Sequence, residues 1–230
     1  MMPRVIKAAL KGTLRLLGNT RLNRARLCRQ LAACDRLNVG CGESGVPGWV
    51  NIGLFSDRKV PYGTVANHRT ARLLHYDMTR GIPMRDETAR YIYASHFIEH
   101  LTLGEARLFF RECYRVLKPG GMIRITTPDL ELWIERYLAN DLSFFERFYR
   151  CCPSYSDLTT KGQILVGQIQ GWGHRWLYDL ESLRAIMAEA GFGTIMRMEH
   201  HQSALPDIQL LEPTDEERLL ETFYVEAQKV

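Results

Sequence analysis

Short apolar runs alternate with stretches of helical periodicity over most of the chain. Seven runs predict β-strands, at residues 36–39, 48–53, 72–77, 91–96, 122–127, 194–199 and 221–229. Apolar side chains recur at helical spacing in residues 104–117, 129–139 and 179–190. Strands that alternate with helices indicate a parallel sheet covered on both faces. The pattern therefore predicts one α/β domain with a mostly parallel, seven-stranded sheet.

Two segments interrupt this alternation. Residues 54–70 carry no clear period and are predicted as mixed loop and helix. Residues 140–176 are rich in aromatic and turn-forming residues, without a clean period. An insertion of this kind commonly forms a lid over a site at the sheet edge, and it can equally be a structural excursion with a small core of its own.

The first predicted strand ends in closely spaced glycines, Gly40, Gly42 and Gly45. A buried strand that stops at such a loop lets a ligand approach the backbone. The spacing also satisfies the dinucleotide pattern G-x-G-x-x-G. However, only about eight residues, including Pro47 and Gly48, separate Gly40 from the next strand, which leaves no room for a crossover helix. A nicotinamide-dependent oxidoreductase is therefore a distant alternative.

Basic charge is concentrated at the N-terminus. Residues 1–36 contain nine Lys and Arg against Asp35 alone, and apolar residues recur there at helical spacing with a break at Gly18 and Asn19. We expect a basic helical arm over residues 1–35, attached to an anionic membrane surface or packed on the domain as a solvated helix. Few aromatic residues are available for stacking on bases, so nucleic acid is not favoured.

The remaining composition favours a protein inside the cell. No uncharged run approaches the roughly 20 residues that span a bilayer, and Arg4, Lys7 and Lys11 interrupt the opening segment, unlike the apolar core of a secretory signal. The six cysteines form no C-x-x-C pair and are expected to be reduced thiols. We predict a cytoplasmic protein, with the basic arm allowing a peripheral position at the inner face of the membrane.

In order, several motifs resemble the class I S-adenosylmethionine-dependent methyltransferases, over residues 36–229. They are LNVGCG at 37–42, HYDM at 75–78, ASHFIEHL at 94–101, YRVLKPGGMIRITTPD at 114–129 and YDLESLRAIMAEAGF at 178–192. The combination of the glycine loop, the S-H-x-x-E-H segment and the R-V-L-K-P-G-G turn is specific. The resemblance implies a Rossmann-like fold and methyl transfer from S-adenosyl-L-methionine. The glycine segment further resembles a compact bacterial branch associated with surface polysaccharide and other glycan assembly.

The same resemblance places the cofactor across the carboxyl ends of the strands. It implies that the glycine loop passes under the methionine and ribose, that Asp77 accepts from the adenine amine, and that Met78 packs on the ring. Ser95 and His96 should line the methionine side. For Asp77 the alternative is a turn residue at a strand end. The predicted cofactor-binding residues are Asn38, Gly40, Cys41, Gly42, Asp77, Met78, Ser95 and His96.

One position departs from the family pattern. The family places an acid at the end of its second strand to bind the ribose hydroxyls, where this chain has Gly53. The lost carboxylate would forfeit charge-assisted hydrogen bonds of about 1.5 to 3 kcal/mol each. Glu43 or Asp57 could substitute, or the cofactor could fail to bind. A catalytically inactive homologue that serves as a binding or scaffold subunit therefore remains the main alternative.

We expect the acceptor to be a hydroxyl of a small molecule or glycan. A hydroxyl acceptor has to lose its proton, and histidine suits that role because its pKa lies near neutrality. His96 and His174 are the predicted catalytic bases, with His100 a further candidate. Arg175, beside His174, could hold an acidic acceptor or tie the insertion to the domain. Neither the acceptor nor the oligomeric state follows from the sequence.

The H-x-x-E-H segment admits a metal as an alternative. His96, Glu99 and His100 could share one helical face at positions i, i+3 and i+4. Inverted zincins have this form, and some methyltransferases bind a divalent metal through a related cluster at this place. Because the segment lies at a strand-to-helix junction, we expect structural and hydrogen-bonding roles for Glu99 and His100, and predict no metal.

Overall fold

An eight-stranded mixed sheet forms the centre of the protein in a computed structural model that describes residues 20–42, 45–54, 60–68, 71–152 and 157–230. The strand order is β3-β4-β2-β1-β5-β6-β8-β7. The strands are β1 (Arg36–Val39), β2 (Val50–Gly53), β3 (Val65–His68), β4 (Ala71–His75), β5 (Ala89–Ser95), β6 (Leu117–Pro128), β7 (Ile195–Met198) and β8 (Thr222–Gln228).

Five central strands are parallel, and their carboxyl ends meet at one edge of the sheet. β1 pairs in parallel with β2 and β5, β2 with β4, and β5 with β6. The chain runs outward through β2 and β4 on one side of β1, then returns to β5 on the other side. Ligands of open α/β sheets bind beside such a reversal, at the carboxyl ends of the strands. The loop after β1 lies at this point.

Helices cover the sheet and carry the connections between strands. They are α1 (Arg21–Gln30), α2 (Leu103–Val116), α3 (Leu130–Leu138), α4 (Leu142–Cys151), α5 (Lys161–Gln170), α6 (Leu180–Glu189), α7 (Ile208–Leu211) and α8 (Glu216–Glu221). The Thr102 and Glu105 capping box begins α2, whose buried face includes Ala106, Phe109, Phe110 and Cys113, as its apolar spacing predicts. That face packs in the main core against β1, β5 and β6.

The sheet has eight strands and not the seven predicted, because β3 lies within residues 54–70. β3 pairs antiparallel with β4 from Val65 with Leu74 to His68 with Ala71 and forms one edge of the sheet. A four-residue edge strand that contains Asn67 carries too few apolar positions to produce a period. The remaining order matches the Rossmann-like class I arrangement, with β8 antiparallel between β6 and β7.

The predicted insertion at residues 140–176 contains two helices, α4 and α5, with a core of their own. Trp133 of α3 is the centre of that core, with ring centroids of Phe144 and Phe148 at 5.0 and 4.7 Å. Ile164 of α5 and Cys152 complete its buried part. The phenylalanines of the insertion are therefore used in packing, whereas Tyr149, Trp172 and Trp176 are exposed, and a lid function stays a prediction.

The described part of the predicted N-terminal arm packs on the domain. Leu27 and Leu31 are fully buried in the main core, and Arg24 and Arg26 donate to the carbonyl oxygens of Arg80 and Gly63. Residues 1–19 lie outside the described residues, and with them most of the predicted arm. Among the described helices, none combines the length and apolarity that a membrane span requires.

Candidate cofactor and acceptor site

The glycine loop turns at once after β1. Gly40 and Gly42 have φ of +70° and +57°, a backbone conformation that favours glycine. A Cβ added to Gly40 would lie 2.8 Å from Phe97 Cβ, so the loop sits directly against the segment that follows β5. The Gly40 and Cys41 amides both donate to the Ile52 carbonyl oxygen, at 2.8 and 3.3 Å. Burial raises the pKa of the Cys41 thiol to about 12, which keeps it protonated.

A buried pair of asparagines stabilises the segment that leads from the glycine loop to β2. Asn38 donates to Asn51 Oδ1 at 2.9 Å, and the same oxygen accepts from the Val46 amide at 2.8 Å. Asn51 Nδ2 donates to the carbonyl oxygens of Val46 and Trp49, each at 3.0 Å. Asn38 was expected at the cofactor, but its side chain instead supports the loop through Asn51. Sequence reasoning missed Asn51, although its place in an apolar strand was the available signal.

Asp77 follows β4 at the same edge. Its Oδ1 accepts from the Thr79 amide at 3.1 Å and from the Thr79 hydroxyl at 2.7 Å. Oδ2 accepts no hydrogen bond from any of the residues that the structure describes, and the side chain is half-buried. The carboxylate thus caps a turn and keeps one oxygen for a donor. Met78 is buried in the main core, where it supports the turn from below.

β2 ends in Gly53, at the position where the family that the sequence resembles has an acid. Gly53 lies opposite His75 in the sheet, and its carbonyl oxygen accepts from the Tyr76 amide at 3.1 Å. This strand end therefore offers no carboxylate for ribose hydroxyls. Both substitutes considered above, Glu43 and Asp57, lie outside the described residues.

At the end of β5, His96 connects a buried carboxylate to a hydroxyl. Its Nε2 lies 2.7 Å from Thr222 Oγ1, and its Nδ1 lies 3.2 Å from Glu99 Oε1. The His96 backbone has φ of +43°, which turns the ring toward β8. Ser95, the preceding residue, accepts from the Thr126 hydroxyl at 2.9 Å. These side chains occupy the carboxyl ends of β5 and β6 and the start of β8.

Burial and mutual charge set the ionisation of this pair. Burial lowers the pKa of His96, although the facing Glu99 opposes that shift. Burial acts to raise the pKa of Glu99, but the contact with His96 outweighs it and leaves that pKa below its ordinary value. The 3.2 Å contact falls short of aligned hydrogen-bond geometry, and Oε1 has no other partner among the described residues. The geometry supports an ionised Glu99 beside a neutral His96.

His100 and His174 form a second pair, beside the first. Their ring centroids lie 5.2 Å apart, edge to face, and His174 Nδ1 lies 2.7 Å from the Gln168 carbonyl oxygen. Burial lowers the pKa of His174. The insertion is attached here, because the Arg175 and Trp176 amides donate to the Glu99 carbonyl oxygen at 2.7 and 3.1 Å.

The structure changes the composition of the H-x-x-E-H cluster. A short 3-10 turn, Ile98–His100, replaces the helix that would place three ligands on one face. Ligand atoms of Glu99, His100 and His174 lie within 4.8 Å of one another, whereas His96 belongs with Thr222. Arg175 donates to Glu105 Oε2 at 2.9 Å, so the guanidinium ties the insertion to α2.

A group of buried polar side chains beneath these histidines did not emerge from the sequence. Glu221 is buried and accepts from Gln168 Nε2, and burial raises its pKa to about 8. Tyr178 has a buried hydroxyl and Arg218 a buried Nη1 atom, neither with a hydrogen-bond partner in the described ranges. Tyr178 and Gln168 lie 43 and 53 positions before Glu221 and meet it only in the fold, whereas Arg218 and Glu221 share α8. No local sequence signal marks them.

Residues 37–125 match a family model described as a methyltransferase domain. That segment contains the glycine loop, Asp77 and the His96 turn, and the strand order around it is the class I arrangement. Over residues 37–125 the chain is therefore similar to methyltransferase domains. S-adenosyl-L-methionine is the cofactor of this class of domain.

One curated relative and two solved structures are similar to this chain. A protein of Mycolicibacterium smegmatis named "probable S-adenosylmethionine-dependent methyltransferase" is 33% identical over 114 residues, which cover 45% of this chain and 42% of that protein. The chain thus matches less than half of that relative's length.

Both structures are distant in sequence. An S-adenosylmethionine-dependent methyltransferase from Archaeoglobus fulgidus is 17% identical with a TM-score of 0.45, over 90% of this chain and 93% of that one. Geranyl diphosphate C-methyltransferase from Streptomyces coelicolor is 14% identical with a TM-score of 0.49, over 90% and 78%. The fold assignment therefore rests on the strand order and the matched sequence.

The residues at the carboxyl edge fit S-adenosyl-L-methionine at two of its three parts. A Cβ on Gly42 would meet nothing within 4 Å, so the loop presents open backbone where the methionine part is expected. Asp77 Oδ2 is open to a donor, as the predicted contact with the adenine amine requires. Where the ribose is predicted, the end of β2 offers only the backbone of Gly53.

Proposed function

We propose that the methyltransferase domain transfers a methyl group from S-adenosyl-L-methionine to a hydroxyl of a small molecule or glycan. The observation that carries the proposal is the chain of contacts from Glu99 through His96 to the Thr222 hydroxyl. A carboxylate, an imidazole and a hydroxyl in this order form the arrangement that activates a hydroxyl in many enzymes. It lies beside the glycine loop, because Phe97 packs on Gly40.

His96 is suited to accept the acceptor's proton. The buried Glu99 carboxylate favours the tautomer with the proton on Nδ1, which leaves Nε2 to accept from a hydroxyl. Thr222 Oγ1 now holds that place at 2.7 Å. An acceptor hydroxyl that displaces Thr222 would donate to the same nitrogen, and the charge of Glu99 would stabilise the imidazolium that forms.

Bound S-adenosyl-L-methionine supplies a methyl group on a positively charged sulfur. The chain has to align the acceptor, remove its proton and keep water from the site. His174 is a second base in this proposal, because it lies in the insertion next to His100 and burial lowers its pKa, which favours the neutral form. The insertion at 140–176 would close over the acceptor, since the Arg175 and Trp176 amides attach its end to Glu99 and the Arg175 side chain attaches it to Glu105.

A non-catalytic binding or scaffold subunit is the second candidate. Gly53 favours it, because the end of β2 lacks the carboxylate that class I enzymes place there.

In the methyl-transfer proposal, the acceptor belongs to glycan assembly inside the cell, and residues 1–19 provide the contact with an anionic membrane surface. Flotation of the full chain with anionic vesicles, against a chain that begins at residue 20, measures that contact.

Transfer of an isotope-labelled methyl group tests the main proposal. The protein and labelled S-adenosyl-L-methionine are incubated with extracts of cells that lack the protein, and the label is located in the product by nuclear magnetic resonance. A methyl group bonded to oxygen is the expected result. Label on nitrogen or carbon would contradict a hydroxyl acceptor, and cofactor binding without any transfer would favour the scaffold subunit.

A further inference from the structure

Arg218 has a guanidinium that the fold leaves without a partner. Its Nη1 atom is buried and makes no hydrogen bond, and no carboxylate lies within ion-pair distance of the side chain among the described residues. The backbone of Arg218 is fixed, since its amide donates to Asp215 Oδ1 at 3.1 Å at the start of α8. The side chain is half-buried, and a buried donor atom without an acceptor costs stability, so the Nη1 position favours a ligand.

Two other described arginines, one wholly buried and one half-buried, are fully paired. Arg124, wholly buried, donates to Glu212, Glu226 and the carbonyl oxygens of Glu199 and Gln202. Arg115 likewise contacts Glu112, Asp86 and two carbonyl oxygens. Where a guanidinium has a structural role, the fold therefore surrounds it with acceptors.

The side chain of Arg218 lines a small cavity together with the proposed base. Its other polar walls lie at the carboxyl ends of β5 and β6, at the start of β8 and on the segment before α8, and they are Tyr93, Ser95, His96, Thr126, Glu212, Thr222 and Tyr224. The cavity has a volume of about 10 Å³, enough for at most one water molecule. A larger group can enter only if the segment from Glu212 to Arg218, which covers the cavity, moves outward.

The acids near this cavity leave the charge of Arg218 available. Glu212 pairs with Arg124 at 2.5 Å, and Glu99 faces His96. Burial raises the pKa of Glu221 to about 8 and also raises the pKa of Glu217, although the nearby charge of Arg218 opposes both shifts. None of the carboxylates that the structure describes forms an ion pair with Arg218, so an incoming anion would find a cation without a direct partner.

We propose that Arg218 binds an oxyanion of the methyl acceptor, a carboxylate or a phosphate, and so holds the acceptor hydroxyl next to His96. A guanidinium matches the planar oxygen pairs of both groups. The proposal deepens the proposed function and rests on it. It restricts the acceptor class to acids and phosphate esters, including acidic glycans, and excludes neutral alcohols and neutral sugars.

Inorganic phosphate and acetate are the probes that test this site. Each is titrated by calorimetry into the full chain at constant ionic strength, with and without S-adenosylhomocysteine, for the wild type, Arg218→Met, Arg218→Lys and the control Arg184→Met. Arg184 lies exposed on α6, and its loss removes the same charge. We expect about tenfold weaker anion binding in Arg218→Met, an intermediate value in Arg218→Lys and no change in the control. Stronger binding of phosphate than of acetate would identify a phosphate ester, and the reverse order a carboxylic acid.

Thermal unfolding separates a binding role from a structural one. Removal of an unpartnered buried cation should leave the melting temperature of Arg218→Met at or above that of the wild type, whereas removal of a structural ion pair should lower it. Equal anion affinity in Arg218→Met and wild type, or no anion binding by the wild type, overturns the proposal. Failure of S-adenosylhomocysteine to bind while anions still bind through Arg218 would instead reject the methyltransferase function and keep the anion site.

Discussion

His96 Nδ1 lies 3.2 Å from Oε1 of a fully buried Glu99. A carboxylate in that environment stays ionised only beside a group that compensates it. The ring of His96 is therefore held by Glu99 on one side, and its other nitrogen contacts Thr222. This relationship positions a neutral base at the end of β5, between the glycine loop and the start of β8.

The pH dependence of methyl transfer should report His96. A base acts when neutral, and the pKa of His96 is lowered, so the acid limb of kcat/KM should lie below the ordinary value of 6.5. Glu99→Gln removes a charge that raises this pKa, which should move the limb to still lower pH. His96→Ala should reduce kcat by about 10² to 10⁴. An acid limb at or above 6.5, or an upward shift in Glu99→Gln, would contradict the assignment.

Substitution of alanine for Gly40 and for Gly104 should change the free energy of unfolding in opposite directions. Gly40→Ala places a Cβ at φ +70° and 2.8 Å from Phe97 Cβ, and should lower the free energy of unfolding by about 2 kcal/mol or more. Gly104→Ala, exposed near the start of α2 with nothing within 4 Å of the new Cβ, should raise it by about 0.5 kcal/mol. Urea denaturation of both variants measures these changes. Equal effects would show that the loop after β1 accommodates a side chain.

Installing the missing acid should tighten cofactor binding. Gly53 lies at the end of β2 and is absent from the residues with positive φ, so an aspartate can take its backbone conformation. Gly53→Asp should increase the affinity for S-adenosylhomocysteine by about tenfold or more, the value of a charge-assisted hydrogen bond. Gly104→Asp adds the same charge on α2 and should leave the affinity unchanged. Weaker binding in Gly53→Asp would show that the ribose lies elsewhere.

Glu221 should make the protein less stable as the pH rises. Its pKa increases from 4.5 to about 8 on folding, so the folded state holds a proton that the unfolded state has lost between these values. Stability from this group is full below 4.5 and declines as pH rises toward 8, by at most about 5 kcal/mol. The lowered pKa of His96 and His174 acts oppositely, since stability from these groups rises with pH up to 6.5.

Glu221→Gln should therefore abolish the loss of stability as the pH rises toward 8. The gain of stability up to pH 6.5, which comes from His96 and His174, should remain. Thermal melts of this variant and of the wild type across the pH range measure the difference. Glu135→Gln, exposed on α3, is the matched control and should follow the wild type. A constant gap between wild type and Glu221→Gln at every pH would contradict the buried, protonated carboxyl.

Local pattern predicted the parts of this fold that repeat a period. β5, β6, α2 and α6 combine several apolar positions with clear stops, such as the Thr102 cap and the turn at Gly120. β3 was missed because its four residues take their conformation from pairing with β4. Edge pairing of this kind is tertiary and carries no periodic signal.

Some residues of the candidate site can likewise be placed from the local pattern, whereas others come together only through the topology of the chain. Gly40, Gly42 and Asp77 follow strands directly, so the strand pattern places them at one edge. His96 meets Thr222 across 126 positions, and Arg218 reaches the same cavity from α8, so chain topology determines both contacts. The alternative metal group of His96, Glu99 and His100 does not form, because the chain makes a 3-10 turn at residues 98–100 and His174 takes the place of His96.

Calorimetric titration of S-adenosylhomocysteine into the wild type and Asp77→Ala tests most directly whether the carboxyl edge of the sheet is a cofactor site. Asp77 keeps Oδ2 for the adenine amine, and its loss removes about 1.5 to 3 kcal/mol. We predict saturable binding by the wild type and about 10- to 100-fold weaker binding by Asp77→Ala. No binding by the wild type, or equal binding by both proteins, would contradict the site.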